Sequence, residues 1–428
     1  MAIGMKATNE HASPNWGKEA LHTAEFENGF RVIYKQVPRP VSHCGLVINA
    51  GSRDEKHANG EAGVAHFIEH TLFKGTQKRK PFHILNRLDC VGGEFNAYTS
   101  KEDTWIYASF SEQHLERAVE LISDITFNAT FPEKEIIKER DVILDELNAY
   151  LDSPADSIFD EFEERLFAGH PLSGNILGNK TSVAGMNRKT IQGFVNRHYH
   201  PEQMVFSVVG ATPWKKVLRL CKKYFGGMPK ASGVMDRQPF VPLAPFDVRV
   251  TKEIHQVHHV MGCTTSGSGH PDRLGLALLA NHLGGPTMNN RLSLNVREKH
   301  GMAYNIECAY SPYSDVGLFS VYFGTDTRLH ARAEALVRKE LKALREKKLG
   351  VRQLHDIKQQ VVGHVALSQD SGSSMMTGLG KSYLLYGRVE SLESVFAAID
   401  AITAEDVLRL ANDVLDDSKW SHLVYKSR

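Results

Sequence analysis

The sequence lacks the features that would indicate a secreted, membrane-spanning or nucleic-acid-binding protein. Its five cysteines are far apart and include no CxxC pair, so neither a disulfide framework nor a thiolate zinc site is predicted. The formal net charge is only +1, so the chain lacks the strong positive electrostatic field that would attract nucleic acid or an anionic membrane. No apolar run approaches the ~18 residues that span a bilayer, and the polar N-terminus contains no signal-like apolar segment. We therefore expect a cytoplasmic protein that binds no membrane and no nucleic acid.

The chain of 428 residues is too long for one core, and its two halves repeat one order of elements. In the first half, strand signals such as "GFRVIYKQV" precede a helix, a further strand and more helices. A Pro- and Gly-containing stretch with no hydrophobic periodicity follows the first half. The second half then begins with "VRVTKEIHQVHHVMGC" and repeats the same order of elements. We predict an α+β protein with domains at 1–230 and 248–428 and a linker at 231–247. Each domain is expected to be a mostly antiparallel sheet covered by helices on one face.

The stretch "GVAHFIEHTLFKG" at residues 63–75 contains the polar residues best suited to catalysis or metal binding. His66 and His70 are four apart, so on a helix their imidazoles lie on one face and can meet at one zinc ion. Glu69 lies beside them and could take a proton from a water at that metal. The alternative is three ordinary polar residues on a helix surface, since a bare HxxEH pattern arises often by chance.

A catalytic zinc usually has a third protein ligand, and the acidic segment "EIIKERDVILDELNAY" offers candidates for it. Glu139 and Glu146 are seven residues apart, which places them on one face of a helix. The alternative is a solvated pair of acids on an acid-rich helix, and periodicity alone favours that interpretation.

Taken together, these motifs resemble the pitrilysin family of zinc peptidases, peptidase family M16, and especially its small bacterial members similar to the mitochondrial processing peptidase. The family signature is HxxEH, the inverse of HExxH, and a glutamate about 75 residues later completes its metal site. Glu146 stands at that position in this sequence. The resemblance implies that His66, His70 and Glu146 bind Zn²⁺ and that Glu69 is the catalytic base. It also implies that Glu139 stands behind the ligands and orients or tunes them.

The resemblance further implies where a substrate would bind. The segment "GGEFNAYTSKEDTWIYA" is similar to the family's edge strand, to which a peptide adds as an extra strand, with Asn96 as a side-chain contact and Ala97 as a backbone contact. From the residues alone, a turn position after two glycines is the preferred interpretation of Asn96. The segment "RLSLNVREKHGMAY" resembles the one whose arginine and tyrosine reach the substrate. Arg297 and Tyr304 match it and could stabilise an oxyanion, although alone they are an unremarkable helix arginine and strand tyrosine.

The function implied by the resemblance is a zinc-dependent endopeptidase that hydrolyses peptides or unfolded segments. The family's chamber contains four such αβ domains facing each other in a clamshell, so a homodimer is implied, with a hetero-pair as the alternative. The competing hypothesis is a non-catalytic, peptide-holding or assembly subunit. Such members of the family typically lack the metal motif that is intact here.

Three further segments do not support an additional site. "TGLGKS" is similar to a phosphate loop, but the required glycine is replaced by Met375, and a packed helix is the better interpretation. In "EIHQVHHV", His255 and His259 would be ~13 Å apart on a strand, and His258 would face the opposite way. We therefore predict histidines on a half-exposed strand. "LLANH" aligns with the HxxEH stretch and retains only His282, which predicts one zinc ion per chain.

Overall fold

The computed structural model describes residues 21–231 and 235–428, which divide into two compact units. Unit 1 contains the described residues up to Leu147, together with Gly174–Arg237 and Leu367–Ser391. Unit 2 contains Asn148–Ser173, Gln238–Ala366 and Leu392–Arg428. The predicted boundaries divide the chain into contiguous domains, whereas each compact unit includes one stretch from the opposite half of the sequence.

Unit 1 is built on a six-stranded sheet whose strands, numbered along the chain, are β1 (Leu21–Glu25), β2 (Arg31–Gln36), β3 (Val41–Ile48), β4 (Glu94–Thr99), β5 (Thr104–Ser111) and β6 (Met204–Gly210). Their order is β1-β2-β6-β3-β5-β4. The β2–β6 pair is parallel, and every other neighbouring pair is antiparallel. β4 consequently lies at one edge of the sheet.

The helices of unit 1 cover this sheet. They are α1 (Val64–Leu72), α2 (Pro81–Asp89), α3 (Leu115–Phe127), most of α4 (Glu133–Leu151), α6 (Lys180–Gly185), α7 (Arg188–His198), α8 (Trp214–Phe225) and α12 (Gly372–Tyr386). Phe67 of α1, Ile122 of α3 and Phe194 of α7 are fully buried in one core cluster with sheet residues such as Phe206. α1 is therefore a core helix, and its few polar side chains occupy a largely apolar environment.

Unit 2 contains a five-stranded sheet with the order β7-β11-β8-β10-β9, built from β7 (Asp247–Lys252), β8 (Val257–Ser266), β9 (Asn305–Pro312), β10 (Val316–Thr325) and β11 (Ser421–Ser427). Only the β7–β11 pair is parallel. Its helices are α5 (Pro154–Leu166), α9 (Arg273–Gly284), α10 (His330–Glu346), α11 (Val351–Ser368), α13 (Leu392–Ala401) and α14 (Ala404–Val414). The predicted α+β class with two mostly antiparallel sheets is confirmed.

Both sheets are covered on two faces, whereas the sequence predicted helices on one face of each sheet. In unit 1, α12 packs Met376 against Trp105 and Val205 on the face opposite the main helical layer. In unit 2, α5 packs Phe162 into a cluster with Val260 of β8. β6 and β10 are buried along their whole length, and such strands require apolar neighbours on both faces. The exchanged stretches supply that second cover, so the prediction of helices on one face was incomplete.

Other sequence expectations concern single segments. The "TGLGKS" segment lies within α12, in agreement with a packed helix rather than a phosphate loop. All five cysteines are free thiols, as expected. Of the histidines predicted on a half-exposed strand, His258 is partly exposed on β8, but His259 is only 1% exposed and His255 precedes the strand, so the prediction was wrong for these two. Within the two described ranges, no helix is long and apolar enough to cross a membrane.

The start of α1 is fixed by a buried carboxylate rather than by a conventional capping residue. Gly63 precedes the helix with φ +83°, and an added Cβ would lie 2.7 Å from the carbonyl oxygen of Leu177, so glycine is required there. The backbone N–H groups of Gly63 and Ala65 donate to Glu55 at 2.8 and 3.0 Å. These contacts satisfy donors that the first turn of a helix otherwise leaves free.

Burial raises the pKa of Glu55 to about 7, and hydrogen bonds from His57, Ala65 and Gly63 only partly oppose this shift. A carboxyl whose folded pKa is raised stabilises the fold below its unfolded pKa and loses that contribution as pH rises through the folded pKa. Because glutamine does not titrate, comparison with Glu55→Gln isolates the contribution of Glu55 protonation to the free energy of unfolding. The wild-type free energy of unfolding minus that of the variant should fall by about 2–3 kcal/mol between pH 4.5 and 7. A difference that stays flat in urea titrations across this range would contradict the assignment.

Candidate metal centre

α1 presents three ionisable side chains from a helix whose other residues are apolar apart from Thr71. Its buried residues include Val64, Phe67, Ile68 and Leu72 on the faces that contact the core. His66 is 7% exposed, and Glu69 and His70 are partly buried. The two imidazole rings are adjacent, with centroids 4.6 Å apart, as expected for residues one helical turn apart.

α4 brings a carboxylate to these rings. Its buried stripe consists of Ile136, Glu139, Ile143 and Leu147, and it holds the helix against unit 1. An oxygen of Glu146 lies 3.8 Å from Nε2 of His66 and 3.6 Å from Nε2 of His70. One ligand atom from each of the three residues falls within 4.8 Å of the others, so the group could hold a metal ion. The predicted pairing of the HxxEH stretch with Glu146 is thus present in the structure.

The protonation of these groups suits a zinc ligand set. Burial, followed by the neighbouring ring of His70, lowers the pKa of His66 to about 3, so His66 is neutral at pH 7. Neutral imidazole is the form that binds zinc, and two imidazoles with one carboxylate are a common catalytic ligand set. Zinc therefore fits the residues present, with the half-exposed Glu146 side chain on the open side of the group.

Glu139 contacts His70 and lies outside the group formed by His66, His70 and Glu146. Its Oε2 lies 3.2 Å from Nδ1 of His70, and its Oε1 lies 2.7 Å from Nζ of Lys74. Burial disfavours charge on both Glu139 and His70, but their mutual contact and the adjacent charges lower the pKa of Glu139 and raise that of His70. Glu139 is therefore placed to orient the ring of His70, and the role that the resemblance implied for it stays a prediction.

Removing the charge of Glu139 should weaken metal binding without abolishing it. We expect Glu139→Gln to lower zinc affinity about 10-fold or more, because carboxylates behind a histidine ligand typically contribute 10- to 100-fold. Competition with a chromophoric chelator measures the affinity. Glu135→Gln, one turn earlier on α4 and in contact with Lys138, is the matched control and should bind zinc as the wild type does. Equal losses in both variants would contradict a specific role.

Thr99 contacts Glu69, the predicted base, and was not identified from the sequence. Its Oγ1 donates a 2.8 Å hydrogen bond to Oε2 of Glu69, and its backbone N–H also bonds this carboxylate. Burial raises the pKa of Glu69, and the bonds from Thr99 only partly offset that effect. Thr99 follows Ala97 by two residues and so lies on the same strand face. That alternation is the only sequence signal that could have indicated it.

If Thr99 fixes the Glu69 carboxylate, loss of its hydroxyl should slow catalysis at constant zinc content. We expect Thr99→Val to lower kcat about 10-fold, because a hydrogen bond to a charged group contributes about 1.5–3 kcal/mol. Thr99→Ser retains the hydroxyl and should keep most of the wild-type kcat. Steady-state cleavage of one peptide with zinc assayed in parallel checks this. An unchanged kcat in the valine variant would show that the contact has no role in the reaction.

β4 carries the predicted peptide-binding residues at the edge of the sheet. Asn96 is exposed, and Ala97 is buried at 7% exposure. The side-chain oxygen of Asn96 accepts a 2.8 Å hydrogen bond from the backbone N–H of Ala97. The backbone N–H of Ala97, which was predicted to be a backbone contact, therefore bonds to the side chain of its neighbour, and both substrate roles stay predictions.

Arg297 and Tyr304 belong to unit 2. Arg297 lies in a short π-helical segment, Ser293–Glu298, and Tyr304 precedes β9 with 83% of its surface exposed. The guanidinium carbon of Arg297 is 6.0 Å from the centre of the Tyr304 ring, close to the limit of a cation–π contact. The structure thus places these two predicted residues side by side, and their roles stay predictions.

The sequence matches two family models over most of its length. Residues 31–180 match the model described as insulinase (peptidase family M16), and residues 185–361 match the model described as the peptidase M16 inactive domain. An uncharacterised zinc protease of Mycobacterium leprae is 32% identical over 96% of this chain and 94% of its own. A counterpart from Bacillus subtilis is 31% identical over 91% of this chain and 95% of its own.

The fold has solved counterparts. A protease from Helicobacter pylori superposes with a TM-score of 0.87 at 22% identity, covering 95% of this chain and 99% of that one. A structure titled as the peptidase M16 inactive domain, from Pseudomonas fluorescens, superposes with a TM-score of 0.88 at 19% identity, covering 95% of this chain and 98% of the other. At these identities the likeness establishes the fold alone, whereas the two family models together establish membership. The chain belongs to peptidase family M16, as its HxxEH stretch and the glutamate of α4 indicated.

Proposed function

We propose that this protein is a zinc metalloendopeptidase that hydrolyses peptides or unfolded polypeptide segments. One observation carries the proposal: His66, His70 and Glu146 offer ligand atoms within 4.8 Å of one another, and Glu69 lies on the same helix with its carboxylate tied to Thr99. Relatives of similar length that are named zinc proteases support it. The model described as an inactive domain matches only residues 185–361, outside the HxxEH stretch.

The residues of the chain divide the chemistry among them. Zinc, when bound, supplies a Lewis acid that polarises a carbonyl and makes water more acidic. Glu69 accepts the proton of the attacking water and returns it to the departing amine. Thr99 holds the carboxylate in place for both transfers, and Glu139 keeps the ring of His70 oriented.

We further propose that the substrate backbone pairs with β4 near Asn96 and Ala97, which lies at an open sheet edge. Arg297 and Tyr304 would donate hydrogen bonds to the carbonyl oxygen as it gains charge. The family resemblance supports a homodimer, because the complete metal set and the Arg297/Tyr304 pair occur in one chain. A hetero-pair is the alternative. The five free cysteines support the proposal of a reducing cytoplasmic location.

Cleavage of a mixed pool of fluorogenic peptides tests the proposed function. We expect the zinc-loaded full-length protein to cleave some members of the pool, a chelator to stop cleavage, and added zinc to restore it. Mass spectrometry of the products should show internal cleavage. Peptide binding without any cleavage by the zinc-loaded protein would instead favour the peptide-holding subunit. Cleavage that survives complete removal of metal would contradict the proposal.

A further inference from the structure

Unit 2 contains a cluster of three histidines that the peptidase function does not use. Nδ1 of His259 lies 3.1 Å from Nε2 of His330, and Nε2 of His259 lies 3.2 Å from Nδ1 of His422. His259 is 1% exposed and His422 7% exposed. Burial is costly for an imidazole unless its nitrogens have partners, and both nitrogens of His259 face other imidazoles.

Three separate elements bring the cluster together. His259 lies in β8 opposite Val424 of β11, and His422 is two residues earlier on β11, so both histidines point to one face of the sheet. His330 begins α10, and Glu334 follows it by one turn on the same helix face. The ring of Phe323 lies 4.9 Å from that of His259 and closes one side of the cluster with an apolar wall.

His259, His330 and Glu334 form a ligand set of the kind that binds first-row transition metals. One ligand atom from each lies within 4.8 Å of the others. Two nitrogens bonded to one tetrahedral zinc at ~2.0 Å are separated by slightly more than 3 Å, close to the 3.1 Å between His259 and His330.

The surroundings supply the outer contacts that metal ligands normally have. With Nδ1 of His259 turned to the metal, its Nε2–H would donate to Nδ1 of His422, the usual way to orient a histidine ligand, and the Nε2–H of His422 would then have to turn from the Arg338 guanidinium 3.5 Å away. Arg338 contacts Glu334 through Oε1 alone, at 2.8 and 3.0 Å, so Oε2 is available as a ligand. Arg338 also pairs with Asp417, which offsets its charge beside the site.

We propose that His259, His330 and Glu334 form a second divalent-metal site of the zinc class, which joins β8 to the start of α10 in unit 2. This site is independent of the peptidase centre. It changes the predicted stoichiometry from one metal ion per chain to two. The metal would connect a central strand to the helix that covers it.

Zinc content of full-length variants tests the second site. We expect the wild type, expressed with zinc and dialysed against metal-free buffer, to retain about two ions per chain, and His70→Ala to retain about one. Adding Glu334→Gln to His70→Ala should remove the remaining ion, as should adding His330→Ala. The matched control is His258→Gln in the His70→Ala background, because His258 faces the other side of β8 and contacts Tyr322. That control should keep its one ion.

The outcomes separate this inference from the peptidase proposal. A folded His70→Ala chain without zinc overturns the second site and leaves the first intact. A double variant that still holds one ion overturns the assignment to these residues. If His330→Ala fails to fold, the near-isosteric Glu334→Gln variant decides instead. Cobalt(II) loaded into His70→Ala should give a visible ligand-field spectrum that Glu334→Gln abolishes, and a spectrum indifferent to that change contradicts the proposal.

Discussion

Glu69→Gln is expected to lose about 10³-fold in kcat while retaining its zinc, because general acid–base catalysis contributes about 10²- to 10⁴-fold. The amide keeps the size of the side chain and can still accept the hydrogen bond from Thr99, so the structure around it should be preserved. It cannot accept a proton from water at neutral pH. Single-turnover cleavage of one peptide, with zinc measured on the same samples, gives the result directly.

The matched zinc content is essential to this experiment. Glu69 lies outside the group His66, His70 and Glu146, so its replacement should leave the zinc content unchanged. Thr99→Ser provides a second control that touches the same contact without removing the base. A glutamine variant that cleaves at the wild-type rate would eliminate Glu69 as the base. A variant that has lost its zinc would instead place Glu69 among the ligands.

Glu146→Gln is expected to show the second large effect, a loss of more than about 100-fold in zinc affinity. An outer group such as Glu139 contributes 10- to 100-fold, and a direct ligand should contribute at least as much. A neutral amide oxygen is a much weaker zinc ligand than a carboxylate. Peptidase activity at limiting zinc should fall in proportion, and excess zinc should partly restore it.

Asp145→Asn is the control for this variant. Asp145 is the preceding residue on α4 and is exposed, so its neutralisation changes the helix charge by the same amount. Isothermal titration of zinc into both metal-free variants separates the two effects. Equal affinities would mean that Glu146 contributes only through the general charge of α4, as the solvated-pair interpretation of this helix holds.

The proximity of His66, His70 and Glu146 could be predicted because it depends on local spacing and one resemblance. His66 and His70 are fixed relative to each other by helix geometry, whichever fold surrounds them. Glu146 required the resemblance, since periodicity alone favoured a solvated acid. The roles of Thr99 and Glu55 were not predicted. Both residues make hydrogen bonds with α1 from other elements, and such bonds depend on tertiary packing and leave no periodic pattern in the sequence.

The helices that each unit takes from the opposite half of the chain could not be assigned from the sequence. The continuously buried strand β6, "MVFSVVG", indicates two covered faces, but nothing in it specifies which helix supplies the second cover. α12 performs this role in unit 1 although it comes from the second half of the chain. His259 illustrates the same point. The strand and the opposite orientation of His258 were predicted, whereas its burial and its contacts with His330 and His422 arise from residues far along the sequence.

An anomalous difference map at the zinc edge, from crystals of the zinc-loaded full-length protein, tests most directly whether α1 and α4 build one catalytic metal centre. We predict a peak bonded at ~2.0–2.2 Å to His66, His70 and Glu146, with Glu69 near it but not bonded. A map without a peak at these residues, or with Glu69 bonded in place of Glu146, would contradict the account.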